Sequence, residues 1–148
     1  MAFQYPLQAV LHFRESVEHQ LELRLRAANQ RVARVRHMIE HLDGQRQQLH
    51  SAQVRELRAG MRAAELRFEL QCDAELMQRR GELEQQLGKL QQIRQQQHDL
   101  LQQARRARET LEAVRDQQFR EYKKQAARRE QRSVDDLFLL RRQYLRRG

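Results

Sequence analysis

Leu21, Leu25, Ala28, Val32, Val35, Ile39 and Leu42 return at alternating steps of four and three residues, and this stripe limits the possible folds more than any other feature. An apolar side chain about every 3.5 residues stays on one seam of a helix, wide enough to pack one neighbouring helix. The pattern reappears as Leu90, Ile93, Gln97, Leu100, Ala104, Ala107, Leu111 and Val114. Two such arms in one chain predict a helix that folds back on itself. The expected fold is all-α, an elongated antiparallel two-helix coiled-coil hairpin.

Composition agrees with that reading. Among the 148 residues proline occurs once, at Pro6, tryptophan is absent, and glycine occurs five times. Gln, Arg, Leu, Glu and Ala dominate, and their side chains lose little freedom on a helix. The chain reads as a single coiled-coil domain over 1–148. The first arm covers about 6–57, with Pro6 suited to a first helical turn. The turn falls near Ala59 and Gly60, or a separate tip segment spans 58–80 with Gly81 as its joint. The second arm runs to about 145. It is the longer arm, so its C-terminal part is expected to project past residue 7. Near the turn there are more apolar residues than one seam can bury. Val54, Leu57, Met61, Ala64 and Phe68 make one stripe, and Leu66, Leu70, Ala74 and Met77 another.

The net charge of +9 is uneven. Residues 119–148 hold ten Arg or Lys against four acids, a net +6, which leaves +3 for everything before them. Such an end suits an acidic protein, a nucleic acid or an anionic lipid surface, or it is simply a solvated helix face. Cys72 is the lone cysteine, so no disulfide can form within the chain and a reducing cytoplasm fits. Gln4, Gln8 and His12 interrupt the apolar N-terminal run and no charged segment precedes it, so no secretory signal is expected. No uninterrupted apolar stretch is long enough to cross a membrane.

Motifs that carry chemistry are missing. There is no phosphate-binding glycine loop, nucleophile elbow or Cys-x-x-Cys pair. His37 and His41 are spaced to bring two imidazoles to one metal ion, but they fall on the outward face with no third ligand in sight. No cofactor, metal or small-molecule substrate is expected, and the chain does not read as an enzyme. A basic-zipper reading fails because Glu130, Asp135 and Asp136 are interleaved with the basic residues and would repel phosphates.

Both ends resemble a known family. Phe3, Tyr5, Leu7, Val10, Leu11 and Arg14 lead into a long helix, and Arg129-Glu130-Gln131 is followed by Asp135-Asp136-Leu137. In these motifs and in layout the chain resembles the flagellar export protein FliJ family. The resemblance implies a small cytoplasmic antiparallel coiled coil in the flagellar type III export apparatus, peripherally associated with the inner membrane at the flagellar base. It also implies a likeness to the central stalk of rotary ATPases. Its implied partners are a hexameric export ATPase, whose pore takes the paired helix ends, a membrane export-gate protein, and export chaperones. On this reading Leu7, Val10, Leu11, Arg14, Arg128, Arg129, Leu137 and Leu140 meet the ATPase ring. The row Phe68, Cys72, Leu76 and Leu83, with Leu42 and Leu49 from the facing arm, meets the gate. Two other readings remain open: the equivalent stalk of a virulence type III secretion system, and a generic basic coiled coil that binds nucleic acid or an anionic membrane.

Overall fold

The structure, a computed structural model, describes residues 2–148. Pro6 sits in the turn that starts the first helix, where the Gln8 amide donates to the Tyr5 carbonyl at 3.1 Å and the Leu11 amide to the Leu7 carbonyl at 2.9 Å. Helix α1 spans Gln8–Ala59, 52 residues. It stops where Gly60 takes φ of 96°, a left-handed conformation that costs a glycine no clash and closes a helix end. The Arg62 carbonyl then accepts from the amides of Glu65 and Leu66, each at 3.1 Å, to open the next helix. Helix α2 spans Ala63–Arg147, 85 residues, without a break at Gly81. The residues before Gly81 are therefore its opening turns. Among the described residues there is no strand, and the fold is an all-α two-helix hairpin.

The chain divides into two compact units. The turn unit, His19–Gln102, holds the whole first stripe. Ala28, Val32, Val35 and Ile39 are buried, and Leu21, Leu25 and Leu42 are half-buried. Val35, Ile39 and Leu83 form its core cluster, with Leu42, Leu87 and Leu90 packed against it. Ion pairs border the seam: Asp43 takes Arg80 at 2.6 Å, and Asp73 takes Arg46 at 2.9 Å and His50 at 3.1 Å. Rising numbers on α1 meet falling numbers on α2, so the helices run antiparallel here. Half-exposed pairs of this kind contribute little stability, but they favour one register over its neighbours.

In the second arm the structure corrects the predicted stripe. Ile93 is 41% exposed and Leu100 44%, whereas Leu101 is 3% exposed. The seam residues of this arm are Leu90, Arg94, Gln97 and Leu101 in the turn unit. In the terminal unit they are Ala104, Ala107, Arg108, Leu111, Val114 and Arg115. Leu90, Gln97, Ala104, Ala107, Leu111 and Val114 belong to both the predicted and the observed stripe. In the turn unit the companions of Leu90 and Gln97 shift by one residue, which turns Ile93 and Leu100 out and brings in Arg94 and Leu101, whereas in the terminal unit Arg108 and Arg115 join the predicted Ala107 and Val114. A guanidinium stem supplies methylene groups to a seam while its head reaches past the edge. Apolar counting therefore undervalues arginine at such positions.

The terminal unit comprises the N-terminal residues to Glu18 and Gln103–Gly148. Leu11 is fully buried in it, and Tyr5 is buried beside the helices. The Tyr5 hydroxyl donates to the Leu111 carbonyl at 3.0 Å. The Phe3 ring lies 5.3 Å from that of Phe119 and 5.5 Å from that of Tyr122, and the Lys123 ammonium sits 4.7 Å over Phe119. Tilted aromatic pairs and a capping cation are each worth about 1 kcal/mol, so the extended N-terminal residues are strapped to α2. Glu18 is buried and accepts from both Arg105, at 3.3 Å, and Arg108, which also reaches Glu112 at 2.9 Å. These contacts pair early α1 with late α2, again antiparallel.

Candidate docking surfaces

Beyond this strap α2 continues bare. Every residue from 127 to 148 is exposed, although the helix persists to Arg147. Nothing in residues 127–147 breaks a helix, the Gln131 amide donates to Asp135 one turn on at 3.0 Å, and Arg146 and Arg147 complement the negative end of the helix dipole. Val134, Leu137, Phe138, Leu139, Leu140, Tyr144 and Leu145 all stand in solvent. At about 100° per residue, all of them except Leu139 fall within an arc of roughly 160°, wider than a two-helix seam uses. Arg141 lies inside that arc, and Arg142 and Arg147 border it. An apolar face studded with guanidinium groups fits a concave apolar surface that carries carboxylates.

The terminal residues singled out by resemblance occupy different environments. Leu7 and Val10 are partly exposed, Arg14, Arg128 and Arg129 are exposed, and Leu137 and Leu140 stand fully out. Leu11 is the exception: at 0% exposure its side chain is consumed by packing within the unit and is not available to a partner. Phe3 rests on Tyr122, so the N-terminal set borders the point where the bare stretch begins.

In the turn unit the residues expected to meet the gate do not form one row. Leu49, Cys72 and Leu76 line an open groove with Gln45, Gln48 and Glu75. Leu42 and Leu83 line a second groove with His37, Met38, His41 and Arg79. Leu83 is 4% exposed and belongs to the core cluster, so it supports this surface from beneath and is corrected from contact to core. Phe68 is 67% exposed and borders a third cleft, with Glu56, Ala64, Glu65 and Glu69.

Sequence reasoning missed the buried acid. Glu18 stands seven residues after Leu11 and seven before Leu25, in the same heptad position, and Arg108 stands seven after Leu101. Spacing alone could have paired them. It also missed Asp73, whose carboxyl is held below its usual range by the hydrogen bond from Arg46 and further by His50, against the opposing effect of burial.

A protein-family model described as "Flagellar FliJ protein" matches residues 3–148. The chain belongs to the FliJ family. FliJ-family membership makes it a component of the flagellar type III export apparatus, within a family of non-catalytic export components. No curated protein and no solved structure matches it. Among the described residues of this FliJ-family chain, no helix is long and apolar enough to cross a membrane. Nor does any group of three or more His, Cys, Asp or Glu stand ready for a metal ion, and His37 and His41 have no third ligand.

Proposed function

We propose that this chain is a non-enzymatic coupling stalk of the flagellar export apparatus, linking the hexameric export ATPase to the membrane export gate and escorting export chaperones. On this reading it works in the cytoplasm, peripherally at the inner membrane of the flagellar base. The observation that supports it most is the bare end of α2, where exposed apolar side chains and arginines share one helix that none of the described residues covers. The ATPase surface comprises Leu7, Val10, Arg14, Arg128, Arg129, Leu137 and Leu140. The gate surface comprises the grooves around Leu42, Leu49, Cys72 and Leu76, with exposed Phe68 beside them.

Charge reversal at Arg128, Arg129 and Arg132 together removes three cations and adds three anions on an exposed face. Binding to the hexameric ATPase, measured by calorimetry, should fall at least about tenfold, with unchanged far-UV circular dichroism and reduced swimming. Undiminished binding would remove these residues from the ATPase surface. Retention on DNA or anionic vesicles with a steep salt dependence, without ATPase association, would instead favour a general basic coiled coil. At the other surface, Leu76→Asp should keep the helical signal and weaken gate binding. A lowered melting temperature with gate binding intact would make Leu76 a packing residue.

A further inference from the structure

Carboxyl groups face each other across the turn that joins the helices. Glu56, in the last turn of α1, and Glu69, early in α2, line one cleft with Ala64, Glu65 and Phe68. Those lining residues include three carboxyl groups and no cation. The Glu69 Oε2 atom is buried and accepts no hydrogen bond from any conventional donor; the group within reach is the Glu56 carboxyl. Two ionised carboxylates are acceptors only and repel, whereas a carboxyl and a carboxylate that share one proton form a strong hydrogen bond.

Among the described residues, the charged groups that act on the Glu69 carboxyl are Glu56 and Glu65, with no cation between them. From α1, Arg55 turns back to the Ser51 carbonyl at 3.4 Å. From α2, Glu65 adds a third negative charge. One turn beyond Glu69, Asp73 is already occupied by Arg46 and His50. Gly60, at φ of 96°, lies in the short connection between the two carboxyl-bearing turns.

We propose that Glu56 and Glu69 share one proton and that the hairpin tip is a pH-sensitive clasp, closed with the proton bound and loosened when it leaves. The hydrogen bond with Glu56, burial, and the charges of Glu56 and Glu65 all hold the Glu69 carboxyl above its usual range. A raised folded-state value stabilises the closed tip fully below the ordinary glutamate range, and that stabilisation is lost as pH rises through the raised value. Asp73, held low, behaves oppositely: its ion pairs persist until pH falls through its lowered value. A window therefore exists in which acidification tightens the tip while the neighbouring ion pairs stay intact.

Hydrogen–deuterium exchange on the full chain at about pH 4 and about pH 7.5, corrected for the intrinsic rate, tests this. Amides in 54–59 and 64–70 should exchange about fivefold more slowly at the lower pH. Glu69→Gln, and independently Glu56→Gln, supplies a permanent amide donor and should give the slow rate at both pH values. His50→Gln should leave the response intact. A wild-type response that is absent, that survives unchanged in Glu69→Gln, or that vanishes in His50→Gln would overturn the clasp.

Discussion

Val32→Asp should lower the stability of the chain by about 4 kcal/mol and its melting temperature by about 10 °C or more. Val32 is 2% exposed, at the middle of the stripe that holds α1 to α2 in the turn unit. A carboxylate placed there leaves water without gaining a donor, because the adjacent buried stripe residues, Ala28 and Val35, are apolar. Leu101→Asp, in the second arm, should behave alike, since Leu101 is 3% exposed. Ile93→Asp is the control that makes the experiment specific. With 41% of its surface in water, Ile93 can present a carboxylate to solvent at a cost of about 1 kcal/mol or less. Thermal and urea melts of the three variants read the seam directly. An Ile93→Asp cost equal to that of Leu101→Asp would restore the phase suggested by apolar counting.

Glu18→Ala should cost about 2 kcal/mol. The carboxylate is buried and accepts from two guanidinium groups; its removal leaves Arg105 and Arg108 with a mutual repulsion and one anion fewer. The loss stays moderate because both arginines are partly exposed and recover hydration. Arg108 also keeps Glu112. A double-mutant cycle with Arg108→Met should show a coupling of about 1–2 kcal/mol, and Glu18→Leu should be milder than Glu18→Ala because it refills the seam. A Glu18→Ala change below about 0.5 kcal/mol would mean that the cluster adds nothing net to folding.

The first arm was legible because its stripe is unambiguous: Ala28, Val32, Val35 and Ile39 are apolar, evenly stepped and interrupted by nothing comparable. In the turn-unit part of the second arm two stripes share Leu90 and Gln97, and only packing against α1 chooses Arg94 and Leu101 over Ile93 and Leu100. The buried Glu18 was hidden by its polarity, although its heptad spacing marked it. Of the residues proposed for partners, Arg128, Arg129, Leu137 and Leu140 are exposed by an arm-length mismatch that sequence reveals. The burial of Leu11 and Leu83 is not revealed in this way, because a leucine on a helix reads the same whether it faces a partner or its own chain. The Glu56–Glu69 cleft was out of reach for a related reason, since it depends on how two helix ends meet across Gly60.

The bare end of α2 also has a thermodynamic meaning. A stretch with no tertiary contact is held helical only by its own residue propensities and by pairs such as Gln131–Asp135. Its local coil-to-helix equilibrium is thus close to balance, so a partner that docks there as proposed would complete its folding as well as bind it. Affinity for that receptor then contains the helix–coil free energy of every residue in the stretch. Positions such as Gln143 or Ser133, even where they touch nothing in the complex, would act as fine adjustments of binding strength through backbone entropy alone.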